Sequence, residues 1–130
     1  MTDAPLRIFV YGTLMRGLSR HRLMNGGRFE GEASAVGRLI SLGEYPALID
    51  RAGTIRGELH TFDDLPTALE VLDEVEGFDP ADPEGSEYVR EARRVLRDDG
   101  TEVFAWLYVY NRPTKGAQVI SSGDWRKLNP

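Results

Sequence analysis

Short runs of β-favouring residues, interrupted once by a helical pattern, constrain the fold of this chain more than any other feature. Residues 7–11 form a short apolar run, which is typical of a buried strand. Residues 55–62 alternate between apolar and polar side chains and predict a half-exposed strand. Residues 88–96 and 102–110 flank a turn of two aspartates, a glycine and a threonine, so they predict a β-hairpin.

The clearest helical pattern covers residues 65–75, where apolar side chains recur at the spacing of one helix face. Asp64 precedes the pattern and predicts an N-cap, and Pro66 suits the first turn of a helix. Gly77 follows the pattern and predicts its end, because glycine readily adopts the left-handed conformation of a helix C-terminus.

Two weaker patterns complete the prediction. Ser19 is expected to cap a short helix over residues 20–25. Residues 32–49 predict short strand-like pieces, with breaks at Gly43 and Pro46. The sequence therefore predicts one α+β domain over residues 1–130, rich in strands and with about two helices.

Composition excludes several classes of protein. The chain has 130 residues, a net charge of −5 and no dense block of Lys or Arg, so general nucleic-acid binding is not expected. It has no cysteine, which excludes disulfides, thiolate zinc sites and cysteine nucleophiles. The N-terminus lacks the pattern of a signal peptide, and no apolar run is long enough to span a bilayer. We expect a soluble, cytoplasmic protein without a membrane partner.

A glycine-containing loop follows the first predicted strand. Gly12 and Gly17 have the spacing of a phosphate-binding P-loop, but Leu18 stands where that motif requires lysine, which argues against a nucleotide site. Two interpretations remain open. The loop can present backbone N–H groups to a small anion or a developing oxyanion. Alternatively, it is an ordinary turn with Gly12 at positive φ.

Glu76 is the candidate acid or base. It stands at the end of the predicted helix, where the helix dipole and apolar neighbours both raise the pKa of a carboxyl group. A pKa near neutrality suits general acid–base catalysis, whereas an exposed helix-end residue is the alternative. His21 and His60 lack metal-ligand spacing and are expected at the surface, and the acidic loop 79–87 is expected to be solvated.

Several segments of the chain occur in a familiar order: FVYGTLMRG, LGEYPALI, GELHTF, LDEVEGF, EYVREARRV, AWLYVY and SGDW. In this order the chain resembles the gamma-glutamylcyclotransferase-like family, especially its short bacterial members and the gamma-glutamylamine cyclotransferase branch. The pair Y-G-[ST]-L and L-D-x-x-E-G carries most of the resemblance, which covers a core of about residues 7–125.

The resemblance implies a mixed β-barrel with flanking helices and a cavity at one end. It implies that Tyr11, Gly12, Thr13 and Leu14 bind the glutamyl part of the substrate through their backbone. By the same resemblance Glu76 is the catalytic residue, and Tyr88 also lines the pocket.

The implied reaction is an attack of the substrate's α-amine on its own γ-amide, which releases 5-oxoproline and an amine without any cofactor. Glutathione-directed relatives read Y-G-S-N-L, and this chain has Thr13-Leu14 without an Asn. The substrate expected is therefore a gamma-glutamylamine or a related small gamma-glutamyl metabolite. A non-catalytic binding module and a gamma-glutamyl amide hydrolase are the alternatives.

Overall fold

Five strands close into one mixed β-barrel. The computed structural model describes residues 4–128. The strands are β1 Arg7–Val10, β2 Gly27–Ser41, β3 Pro46–Phe62, β4 Tyr88–Arg97 and β5 Glu102–Tyr110. Across the sheet their order is β3, β1, β5, β4, β2. The last strand in this order, β2, also pairs with the first, β3, and this pairing closes the barrel. The predicted α+β fold, a single-domain mixed β-barrel with flanking helices, is confirmed.

Strand β1 lies inside the sheet, as its apolar sequence predicts. It pairs antiparallel with β3 and parallel with β5, and Ile8, Phe9 and Val10 are buried. The parallel pairing is what makes the barrel mixed, because the other pairings are antiparallel. The loop after β1 therefore begins at one end of the closed barrel.

Strands β2 and β3 form one long hairpin of 15 and 17 residues. Gly43 lies in the connection and Pro46 begins β3, as expected, but the sequence predicted short pieces where β2 is continuous through two register shifts. The prediction that residues 55–62 form a half-exposed strand is also wrong, because Glu58 and His60 are 1% and 2% exposed. Segments outside the barrel strands contact the face that alternation assigned to solvent: Arg16 and Arg126 bind Glu58, and His21 lies beside His60.

Helix α1, Leu65–Glu76, agrees with its prediction at both ends. The Asp64 carboxylate accepts a hydrogen bond from the Thr67 N–H at 3.3 Å, and Gly77 adopts the left-handed conformation with φ 69°. Leu69 and Leu72 bury the apolar face of the helix against the barrel. The cap and the stop together fix the position of Glu76 as the last helical residue.

The remaining short elements lie beside the barrel. A 3₁₀ helix, His21–Met24, occupies the region where a Ser19-capped helix was predicted, but Arg20 holds the cap position and no side chain caps it. Strand β6, Gln118–Val119, pairs with the end of β2, and helix α2, Trp125–Leu128, follows it. Within residues 4–128 there is no helix with the length and apolarity needed to cross a membrane.

Candidate active site

A cavity opens at the end of β1, where the chain leaves the barrel. Its volume is about 30 Å³. The six residues that the sequence singled out all line it: Tyr11, Gly12, Thr13, Leu14, Glu76 and Tyr88. Phe9, Val10, Arg20, Tyr45, Pro46 and Tyr108 complete the wall. The structure thus brings together the loop, the helix end and the start of β4.

The loop after β1 folds back on itself and leaves three backbone donors available. The Met15 N–H donates to the Gly12 carbonyl at 3.0 Å, and the Arg20 N–H donates to the Thr13 carbonyl at 2.9 Å. The N–H groups of Gly12, Thr13 and Leu14 have no hydrogen-bond acceptor within the part of the chain that the structure describes. Neighbouring free N–H groups of this kind can bind an anion or a polarised carbonyl oxygen.

Close packing, rather than backbone conformation, explains the glycine at position 12. The φ of Gly12 lies outside the left-handed region, so the interpretation of the loop as a turn with Gly12 at positive φ is wrong. A Cβ at this position would come within 2.8 Å of Pro46 Cγ and 2.9 Å of Pro46 Cδ. Glycine therefore lets the loop lie directly against the start of β3.

Glu76 is partly buried and faces the cavity from the end of α1. Burial raises the pKa of its carboxyl group to about 7, Arg20 opposes this shift, and the negative charge of Glu87 adds to it. No hydrogen bond within residues 4–128 reaches the Glu76 carboxylate. A carboxyl group with this pKa and free oxygens can accept and return a proton near neutral pH.

Three buried tyrosines form a rigid wall of the cavity. The Tyr11 hydroxyl donates to the Tyr108 carbonyl at 2.7 Å, and the Tyr88 hydroxyl donates to the Pro46 carbonyl at 3.0 Å. The Tyr108 hydroxyl donates to Asp73 Oδ1 at 2.7 Å. Burial raises the pKa of each phenol, so all three stay neutral. Since their protons are already committed, they shape the cavity rather than move protons.

Asp73 is a buried, hydrogen-bonded residue near the cavity for which the sequence predicted no role. It lies on α1 one turn before Glu76 and accepts hydrogen bonds from Arg90 Nε at 2.8 Å and Nη2 at 3.1 Å. Together with the Tyr108 hydroxyl, this bidentate pair ties the end of α1 to β4 and β5. The sequence signal for its place near the cavity was its position three residues before Glu76, because residues i and i+3 lie on the same face of a helix.

A second group of buried charges, which the sequence did not predict, contacts the chain just after the loop. Glu58 Oε1 accepts the Arg16 N–H at 3.0 Å and lies 3.1 Å from His60 Nε2. Glu58 Oε2 accepts hydrogen bonds from Arg126 Nη2 at 2.7 Å and Arg16 Nε at 3.3 Å. Burial alone raises the pKa of Glu58, but these hydrogen bonds outweigh it and lower the pKa to about 2.

The histidines depart from their prediction. His60 is buried rather than at the surface, and its ring centroid lies 5.9 Å from that of the partly buried His21. Residues 4–128 contain no group of three or more His, Asp or Glu side chains placed to hold a metal ion. In the acidic loop, Asp79 and Asp82 accept backbone N–H groups of the loop itself.

Comparisons with known proteins agree with this architecture. Residues 8–127 match the family described as gamma-glutamyl cyclotransferase, AIG2-like. The gamma-glutamylcyclotransferase family protein YtfP of Escherichia coli is 34% identical over 121 residues, covering 92% of this chain and 96% of YtfP. The gamma-L-glutamyl-butirosin B gamma-glutamyl cyclotransferase of Niallia circulans is 33% identical over 108 residues, 81% of this chain and 67% of that protein.

Solved structures give the same result for the fold. The solution structure of E. coli ytfP superposes with a TM-score of 0.64 at 35% identity, covering 95% of this chain and 99% of that one. An aig2-like protein from Mus musculus superposes with a TM-score of 0.67 at 27% identity, covering 85% and 81%. By sequence and by fold, this chain belongs to the gamma-glutamyl cyclotransferase, AIG2-like family.

Proposed function

We propose that this protein is a gamma-glutamyl cyclotransferase that acts on a gamma-glutamylamine or a related small gamma-glutamyl metabolite. The observation that carries the proposal is one cavity with two complementary features. Glu76, whose pKa is raised to about 7, lines it. Gly12, Thr13 and Leu14, whose N–H groups are free, line it as well.

The reaction needs only proton transfer and a folded substrate. The α-ammonium of the gamma-glutamyl group gives a proton to the Glu76 carboxylate, and the freed amine attacks the γ-carbonyl carbon. A new C–N bond closes the five-membered ring while the carbonyl oxygen takes up negative charge, which the loop N–H groups stabilise. Glu76 gives this proton to the leaving nitrogen, and the old C–N bond breaks as the carbonyl re-forms. Glu76 then takes the second proton from the ring nitrogen and passes it to the departing amine, so that 5-oxoproline and a protonated amine are released.

Intramolecular attack explains why so small a site suffices. Nucleophile and electrophile belong to one molecule, so the protein supplies conformation rather than a second reactant. The neutral tyrosine wall, held by hydrogen bonds from Tyr11, Tyr88 and Tyr108, supports a fixed shape for that conformation. The Niallia circulans relative is named for its action on a gamma-L-glutamyl compound, which supports the same substrate class.

The test is the Glu76→Gln variant, assayed by mass spectrometry for 5-oxoproline across a panel of gamma-glutamyl compounds. Removing a general acid–base group typically lowers turnover about 10²- to 10⁴-fold, and we expect a loss in that range. Binding of 5-oxoproline should persist, because glutamine keeps the shape of the side chain. Glu74→Gln is the matched control, since Glu74 is exposed two residues earlier on the same helix.

The products separate this function from its alternatives. Cyclisation gives 5-oxoproline, hydrolysis of the same amides gives glutamate, and a binding module gives neither. Turnover by Glu76→Gln at a rate close to that of the wild type would assign the proton transfer to another residue. Asp73→Asn is unsuited as a control, because Asp73 is buried and bonded to Arg90 and Tyr108.

A further inference from the structure

Arg20 is a cation without a partner at the candidate site. Among the described residues that line the cavity it is the only cationic one, and it is partly buried. Its guanidinium carbon lies 5.3 Å from the centroid of the Tyr45 ring, within the range of a cation–π contact. Within residues 4–128 its side chain forms no ion pair and no hydrogen bond. The loop and the aromatic ring thus hold a free positive charge at the cavity.

Arg20 and Glu76 line the same cavity, and the Arg20 charge acts on Glu76 although no ion pair joins the two side chains. Burial raises the pKa of Glu76, and the Arg20 charge is what opposes that rise. Because they form no ion pair, the two charges do not neutralise each other by direct contact. A cavity with one positive and one negative group held apart is complementary to a ligand that carries both charges.

The zwitterionic end of an α-amino acid is such a ligand. If the proposed function holds, the α-ammonium must meet Glu76, and the α-carboxylate on the same carbon then comes close to the Glu76 charge. A cation beside that carboxylate removes the repulsion. We propose that the guanidinium of Arg20 binds the α-carboxylate, so that Arg20 and Glu76 together select gamma-glutamyl compounds whose α-carboxyl group is free.

In this assignment, different parts of the site bind different groups of the substrate. Arginine presents a planar pair of N–H donors that matches a carboxylate. The N–H groups of Gly12, Thr13 and Leu14 are then left for the γ-carbonyl oxygen, where charge develops. Gamma-linked glutamyl residues whose α-carboxyl is amidated or in a peptide bond are rejected, because they bring no charge to Arg20.

The experiment compares two stable ligands, 5-oxoproline and its α-carboxamide, by NMR titration of the intact protein. The wild type should prefer the carboxylate about 10- to 100-fold, the range of a hydrogen bond to a charged group. Arg20→Gln should lower this preference to near one. Arg20→Lys, which keeps the charge but not the planar fork, should retain part of it.

Arg22→Gln is the matched control. It removes the same charge two residues away, from an exposed side chain that does not line the cavity. We expect it to keep the wild-type preference. A preference that survives in Arg20→Gln, or an absence of preference in the wild type, would overturn the assignment.

A second comparison tests the alternative that Arg20 binds a carboxylate on the leaving amine instead of the α-carboxylate. Turnover of gamma-glutamylalanine and gamma-glutamylethylamide is measured in the wild type and in Arg20→Gln. Loss confined to gamma-glutamylalanine, with the 5-oxoproline preference intact, would place Arg20 at the leaving group and overturn the proposal. Similar losses for both compounds support it.

The inference and the proposed function fail separately. If the wild type forms no 5-oxoproline from any gamma-glutamyl compound but shows the Arg20-dependent preference, the function fails and the α-carboxylate site stands. If the wild type forms 5-oxoproline and the preference does not depend on Arg20, the function stands and this assignment fails.

Discussion

At the scale of single residues, Glu76 couples function to stability. Its carboxyl group is placed where ionisation is costly, which is what raises its pKa to about 7 from the ordinary 4.5. The folded protein therefore binds this proton more tightly than the unfolded chain does. The stabilisation that follows is complete below about pH 4.5 and is lost as the pH rises through about 7.

Glu76→Gln should consequently stabilise the protein at alkaline pH. Glutamine cannot ionise, so we expect the variant to gain about 1–3 kcal/mol in free energy of unfolding, relative to the wild type, between pH 4.5 and pH 8. Urea denaturation of both proteins at the two pH values measures the difference. Both proteins contain the same charged and phenolic groups around Glu76, so the titration of these groups contributes little to the difference in stability. These groups are Arg20, Glu87, Tyr11, Tyr88 and Tyr108.

A constant difference between the two proteins at both pH values would mean that the pKa of Glu76 is ordinary. The activity profile gives an independent reading of the same group. If Glu76 is the general base, kcat/KM should rise with pH and reach half its maximum near pH 7.

At the scale of elements, the loop after β1 depends on its contact with the start of β3. Gly12→Val adds a side chain where even a Cβ would lie 2.8 Å from Pro46 Cγ. The loop must then move away from Pro46 and carry its N–H groups with it. Because small displacements of positioning groups cost up to about 100-fold, we expect kcat/KM to fall about 10- to 100-fold.

Gly17→Ala separates crowding from backbone strain. Gly17 has φ 80°, and a Cβ there meets nothing within 4 Å. The substitution should lower stability by about 1 kcal/mol with little change in KM, since the strain lies outside the cavity. Normal folding of Gly12→Val with wild-type kcat and KM would show that the loop does not position substrate.

At the scale of the whole molecule, Glu58 joins three distant parts of the chain. It binds Arg16 after the loop, His60 on the same strand, and Arg126 in α2, which is 68 residues away in sequence. The Arg126 guanidinium also donates to the Arg16 carbonyl at 2.6 Å. Helix α2 and the segment that follows the loop at the cavity are therefore both bonded to the buried carboxylate of Glu58.

Glu58→Gln should destabilise the fold, because it leaves buried donors and a charge without their partner. We expect a loss of about 2–4 kcal/mol in free energy of unfolding near pH 7, measured by urea denaturation. The lowered pKa of Glu58 means that its contribution is present above about pH 4.5 and is lost as the pH falls towards 2. The difference between variant and wild type should therefore shrink in acid.

Asp63→Asn is the contrasting control. Its ion pair with Arg28 is short at 2.7 Å, but both side chains are mostly exposed, so its loss should cost less than about 1 kcal/mol. Equal effects of the two substitutions would contradict the role given to Glu58. Burial, rather than distance, is what distinguishes the two pairs.

The sequence by itself determined the features whose causes act over a few residues. The apolar run of β1, the Asp64 cap and Gly77 stop of α1, and the turn between β4 and β5 all appear where their local patterns place them. The glycine loop and the helix-end position of Glu76 marked these segments as candidates, and resemblance to a family added Tyr88 and the role expected of each residue. Local physics and family pattern together were enough for the fold class and the location of the cavity.

Only the tertiary structure decided the features whose causes lie between distant segments. Glu58 and His60, which alternation had assigned to solvent, are buried and contact Arg16, Arg126 and His21, which come from distant segments outside the barrel strands. Packing against Pro46, rather than a positive φ, accounts for Gly12. The placement of Arg20 and Glu76 on one cavity had no local signal at all, because electrostatic and packing energies depend on distance in space, which the order of residues along the chain does not give.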